Sequence, residues 1–162
     1  MFEKIRKMKN QKGFTLVELI VVLVILAILA AMLVPALTGY IDKANKEKII
    51  AATRQVVMAA QTEVSEAYAS KTLSETTITI DPTAANKISY SVAANTQVDG
   101  TAIVKLAEVG NFTGAGAFDT FKNGIKKIEI TYTDKGHVSK VVLKQGTKEC
   151  TYSESTGAYD VP

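Results

Sequence analysis

A single carboxylate stands where a carboxylate is costly. Glu18 lies four residues after Phe14 in Lys12-Gly13-Phe14-Thr15-Leu16-Val17-Glu18, near the start of a stretch, Phe14 to Leu37, in which 21 of 24 residues are apolar. Hydrocarbon penalises such a charge by about 3 kcal/mol even on lenient insertion scales, so a lone acid in this setting marks function. Its chemistry would be electrostatic, because pairing with an ammonium strengthens where water is excluded. The bland alternative is a carboxylate that snorkels to a membrane surface. Other residues offer little. His137 is the only histidine and follows a turn signal, where a solvated imidazole is the simplest reading. Cys150 is the only cysteine, so no disulfide can form within the chain, and its place between Glu149 and Thr151 suits a small buried hydrophobe better than a reactive thiol. Asp81, Asp99, Asp119 and Asp134 are scattered among turns, where aspartate is common anyway. Gly114-Ala115-Gly116 lacks the third glycine of a phosphate loop, and Asn111-Phe112-Thr113 reads as a chance glycosylation match. No metal, cofactor or catalytic constellation is expected, and the chain does not read as an enzyme.

The element that must position Glu18 is the apolar run itself. Leu19 to Val34 is 16 residues without a polar side chain. At about 1.5 Å per residue, Phe14 to Leu37 reaches roughly 36 Å, enough for a hydrocarbon core about 30 Å thick. An all-round apolar helix has no face for water, and the residues after Leu37 are too few to enclose it. Lys4, Arg6, Lys7, Lys9 and Lys12 precede it against Glu3, whereas Asp42, Lys43, Lys46, Glu47 and Lys48 follow in near balance. The positive-inside rule then keeps the N-terminus cytoplasmic and puts the rest outside. A cleaved secretory signal would be shorter and would end at a small-residue exit; an uncleaved signal anchor fits the same hydropathy.

The junction separates these readings. A short basic leader ending in Gly13, an aromatic Phe14 opening the apolar run, and Glu18 at the fifth position after the glycine resemble the prepilin signature of type IV pilins. The resemblance covers residues 1 to about 40, including Pro35 within the anchor, and the single cysteine looks more like the pilins of Gram-positive anaerobes than like disulfide-closed ones. It implies that a prepilin peptidase cuts between Gly13 and Phe14 and methylates the new amine of Phe14. It further implies that Glu18 meets the N-terminal amine of a neighbouring subunit, and that Pro35 helps the helix loosen on packing. Independently of any family, Pro35 removes a backbone donor and clashes with the carbonyl of Ala31, with Gly39 loosening the same region.

Beyond the anchor, Ile49, Ala52, Val56, Ala60, Val64 and Ala67 recur at three- and four-residue steps, with Lys46, Arg54, Gln61 and Ser65 off that stripe. One helix from Phe14 to Ser70, roughly 85 Å long, is predicted. Thr76 to Ile80 reads as a strand ending at Asp81-Pro82. Residues 81–124 suggest a strand at Ile88 to Val92, a helix at Ala102 to Val109 and a glycine-rich loop at Asn111 to Gly116. Ile125 to Thr133, His137 to Lys144 and Thr147 to Tyr152 alternate between turns at Asp134-Lys135-Gly136 and Gln145-Gly146-Thr147, an antiparallel meander. The expected organisation is a cleaved leader 1–13, a hydrophobic half-helix 14–37, an amphipathic half-helix 38–72, a connecting region 73–124 and a β-meander with tail 125–162. The fold class is α+β, a type IV pilin fold whose long protruding N-terminal helix packs one stripe on a C-terminal antiparallel sheet.

Charge follows the same division. The chain carries a formal +3. Its first 13 residues supply +4, so the remaining 14 cations and 15 carboxylates leave −1. The basic bias is a topology signal, and seven lysines in residues 122–162 suit a solvent-facing sheet; nucleic acid is an unlikely partner. The resemblance implies a major pilin, a homopolymer held together in an extracellular filament, with a prepilin peptidase, an assembly machinery and its ATPase as partners and the membrane as its location before assembly. Adhesion, aggregation, biofilm formation or twitching motility would be the fibre's work. The alternative is a pseudopilin of a type II secretion or competence system.

Overall fold

The computed structural model describes residues 13–70, 72–92, 97–113 and 116–162. All but the last residue of the leader expected over 1–13 therefore lies outside the described residues. Helix α1 runs over Leu16–Ser70. The chain forms two compact units, Met1–Lys43 and Ala44–Pro162.

In the first unit every described residue is exposed. The helix continues through Pro35. Pro35 can give no N–H to the Ala31 carbonyl, and its own carbonyl accepts from the Thr38 hydroxyl at 2.9 Å.

The second unit opens with the amphipathic part of α1. Ile49, Thr53, Val56, Ala59, Ala60, Val64 and Ala67 are buried, which reproduces the predicted stripe, except that Ala52 is only half-buried and Thr53 replaces it. Thr53 survives there because its hydroxyl donates to the Ile49 carbonyl at 2.8 Å. The strands are β1 (Thr76–Ile80), β2 (Ile88–Tyr90), β3 (Gly110–Thr113), β4 (Ala117–Phe121), β5 (Ile125–Tyr132), β6 (Val138–Gln145), β7 (Lys148–Ser153) and β8 (Ala158–Asp160), and a short helix α2 covers Gly100–Leu106. Six strands form one antiparallel sheet in the order β2-β1-β5-β6-β7-β8. Its inner face presents Ile78, Ile80, Ile128, Ile130, Tyr132, Val141, Leu143 and Cys150, which share one core with the α1 stripe. The outer face carries Thr77, Thr79, Thr131 and Thr151 with the ion pairs Lys127–Glu129 and Lys144–Glu149.

Two predictions of local structure change. The glycine-rich loop expected at Asn111 to Gly116 begins instead as β3, which pairs with β4 in a separate two-stranded sheet. The reason is aromatic: Phe112, Phe118 and Phe121 stack with centroids 6.2 and 4.9 Å apart, and that packing outweighs the glycine content. The tail adds a strand to the meander: β8 pairs with β7, Tyr159 lies 4.9 Å from Tyr152, and the Arg54 guanidinium sits over the Tyr159 ring, 5.1 Å from its centroid.

Helix α2 starts at Asp99, whose carboxylate accepts from the Thr101 N–H at 2.8 Å. It ends earlier than predicted because Glu108 turns left-handed, φ 56°. The Glu108 N–H bonds the Lys105 carbonyl and the Val109 N–H that of Val104, a Schellman ending that glycine usually makes. Glu108→Gly is expected to raise stability by about 1 kcal/mol, measured as the denaturation midpoint; an unchanged or lowered midpoint would count against strain at this residue.

Burial, followed by Glu66 and Asp99, pushes the Glu63 carboxyl above the ordinary value of 4.5. A raised folded-state pKa contributes stability below 4.5 that disappears as pH rises through the folded value. Glu63→Gln should therefore raise Tm by roughly 1–2 °C at neutral pH, since a half-exposed group is well screened. The gain should vanish in acid, which thermal melts at both pH values check.

Candidate processing and assembly site

Helix α1 begins at the residues singled out in the sequence. Thr15 occupies the N-cap and Glu18 the third helical position. The Thr15 N–H and hydroxyl both donate to Glu18 Oε2 at 2.8 Å, and the Glu18 N–H donates to the Thr15 hydroxyl oxygen at 3.2 Å. This is a capping box, in which two orphan donors of the helix start are satisfied reciprocally. It places a carboxylate beside the positive end of the helix. The signal was present in the sequence as Thr15-x-x-Glu18, but the question of a charge in hydrocarbon concealed it.

Phe14, immediately before the cap, is 86% exposed. Gly13 has nothing within 4 Å of the position a Cβ would take, so the chain's own packing makes no demand for glycine there. The structure thus brings Thr15 and Glu18 together with Gly13 and Phe14 directly upstream. Pro35 is not part of this cluster, being 17 residues further along α1 than Glu18, about 26 Å of helical rise.

The apolar run is the second part of the site. Nineteen large apolar side chains from Phe14 to Ile41 stand about half exposed or more. Covering them would gain on the order of 20–30 kcal/mol, more than the 5–15 kcal/mol, roughly, that stabilises a typical domain. A segment of this kind does not persist in water; it requires lipid or other protein. By length and composition α1 can cross a membrane.

Cys150 is fully buried, and burial pushes its thiol pKa up, with a partly offsetting interaction with the Thr53 side chain; the thiolate a reactive cysteine needs is disfavoured. His137 is exposed, with Nδ1 3.8 Å from Glu154 Oε1. The described residues contain no group of three or more His, Cys, Asp or Glu able to hold a metal ion.

A long N-terminal helix packed on an antiparallel sheet, starting at a capped glutamate behind an exposed phenylalanine, is a pilin-like α+β arrangement. Residues 8–34 match the family model of the prokaryotic N-terminal methylation motif, so the chain carries a type IV prepilin-like signature. Comparison with curated proteins and with solved structures gives no match.

Proposed function

We propose that the chain is a structural subunit, a major pilin that polymerises into an extracellular type IV pilus. The observation that carries this reading is the exposed apolar run beginning at the methylation motif. A prepilin peptidase cuts between Gly13 and Phe14 and methylates Phe14. The product stays in the cell membrane, single-pass with its N-terminus cytoplasmic, until the assembly machinery and its ATPase transfer the apolar run from lipid to the filament core. There Glu18 meets the amine of a neighbouring subunit. Its two short bonds from Thr15 fall on Oε2, and no described residue takes Oε1, which is left to an incoming ammonium. Pro35 supplies a point at which the helix adjusts to its neighbours. The subunit performs no catalysis; the fibre mediates adhesion, aggregation, biofilm formation or twitching motility.

The test is to express the chain with its assembly system and image the sheared surface fraction. Long fibres built of a product beginning at methyl-Phe14 are expected. A processed product confined to short, envelope-bound assemblies would favour a pseudopilin instead, and a membrane-retained product beginning at Met1 would overturn both readings.

A further inference from the structure

In two places within the second unit a side-chain carbonyl group precedes a glycine, Asp99-Gly100 and Asn123-Gly124. In such a pair the glycine nitrogen, once deprotonated, can attack the preceding side chain's Cγ and close a five-membered imide, with no Cβ in its way. The structure treats the two pairs differently. Asp99 is held as the N-cap of α2 by the Thr101 N–H, its carboxylate is a poorer electrophile than a neutral amide, and Gly100 is buried, with its Cβ position 2.8 Å from Ile88. Asn123 and Gly124 are exposed. Nothing lies within 4 Å of the Gly124 Cβ position, and no described residue bonds the Asn123 side-chain amide or the Gly124 N–H.

The fold around Asn123 resists that step. Asn123 and Gly124 are both left-handed, φ 56° and 72°, and the Ile125 N–H donates to the Lys122 carbonyl at 3.2 Å, a type I′ turn. Closing the imide requires rotation about the Asn123 Cα–C bond until the Gly124 nitrogen stands alongside the Asn123 Cβ, and the same rotation swings the Asn123 carbonyl out of the turn. That carbonyl is held from outside: Gln145 Nε2 donates to it at 2.6 Å. Beside it the Gly146 N–H donates to the Gly124 carbonyl at 3.1 Å. Gln145 reaches the turn because it is the last residue of β6 and pairs with Ile125. We propose that Asn123 is a deamidation site and that Gln145 is the positioning residue that holds the reaction back while the second unit is folded. The Gly124 nitrogen gives up its proton and bonds to the Asn123 Cγ, whose amino group leaves as ammonia. Water then adds to either carbonyl of the imide and breaks one of its C–N bonds, giving aspartate or isoaspartate. Isoaspartate carries an extra carbon in the main chain, which a type I′ turn does not fit, so this product unties the 122–125 turn from the β6–β7 turn. The site records the time the turn has spent open.

The experiment incubates the full chain in maltoside detergent at mildly alkaline pH, folded or unfolded in guanidinium chloride, and follows by mass spectrometry the peptide that carries Asn123, with isoaspartate separated from aspartate by retention. Deamidation is expected to be about a hundredfold slower in the folded chain than in the unfolded one, the factor that three ordinary hydrogen bonds give together. Gln145→Met keeps the length of the side chain and removes the donor, and should speed the folded-state reaction about fivefold, the worth of one such bond. Ile78→Val, in the fully buried part of β1, costs about as much overall stability and should leave the rate unchanged. Equal rates in Gln145→Met and the unaltered chain would overturn the role of Gln145, as would equal acceleration by Ile78→Val, which would mean that the reaction runs through global unfolding. Should Gln145→Met fail to fold, the unaltered chain decides: a rate that rises in guanidinium below the unfolding transition supports local opening of the turn, and one that rises only within the transition overturns it. Aspartate without isoaspartate would overturn the imide route, and an unfolded chain that keeps its Asn123 amide would overturn the site.

Discussion

Glu18→Gln is expected to be cut after Gly13 and methylated at Phe14 as usual, yet to leave the sheared surface fraction without fibres. The substitution separates the two things Glu18 does. Glutamine at the third helical position can still accept from the Thr15 N–H, so the capping box survives; what disappears is the negative charge. If that charge is needed to meet a neighbour's amine in a water-free core, an isosteric neutral side chain fails just as an apolar one does, because an unpaired buried ammonium remains. Thr15→Ala is the complementary variant. It keeps the charge and removes the hydroxyl that bonds both Glu18 Oε2 and the Glu18 N–H, at a cost of about 1 kcal/mol to the helix start, and it should still give fibres. The opposite pattern, fibres from Glu18→Gln and none from Thr15→Ala, would show that Glu18 serves as a cap and not as a charge. N-terminal sequencing of both products, beside electron microscopy of the sheared fraction, distinguishes failed processing from failed assembly.

Gly136→Ala should have the largest effect on the second unit, a loss of about 2–5 kcal/mol. Two costs combine there. Gly136 sits at φ 79° in the β5–β6 turn, and a Cβ would come within 2.8 Å of the Tyr68 ring and 2.9 Å of its Cβ. Left-handed backbone costs an alanine about 1–2 kcal/mol, and overpacking adds about 1–3 kcal/mol. Relief by a shift of the turn is obstructed by Gln61, whose amide donates to the Gly136 carbonyl at 2.8 Å and accepts from the Val138 N–H at 3.0 Å. Gly146→Ala is the control, because Gly146 is also left-handed, φ 59°, but its Cβ position is open. It should lose only the backbone part. Urea denaturation of the two variants checks the difference, and equal losses would mean that the Tyr68 contact contributes nothing.

These residues show where sequence reading stopped. The buried stripe of α1 and the strands β1, β5, β6 and β7 were legible because burial imposes periods of 3.6 and 2 on apolar positions. The connecting region was harder to read. β3 and β4 are held by three phenylalanines, Phe112 set apart from Phe118 and Phe121 by two glycines, and no short-range period announces that they will meet. The early end of α2 depends on Glu108 adopting a conformation that glutamate avoids, so propensity pointed the wrong way. β8 is three residues long and acquires its register only from Thr151, Tyr152 and Ser153 opposite. Gln61 falls off the apolar stripe, and nothing in its neighbourhood announces that its side chain ties the β5–β6 turn to the helix.

What the sequence determined by itself is the signature at the N-terminus. Gly13, Phe14, Glu18 and the apolar run make a prepilin-like signature by identity and order along one segment, and a local signature needs no partner from elsewhere in the chain. Only the tertiary structure decided which polar side chains become structural and which turns are joined. Those outcomes depend on contacts between residues far apart in the chain, such as Gln61 with Gly136, 75 positions away. Pairings of that range are fixed by the packing of the whole core, which no window of the sequence contains.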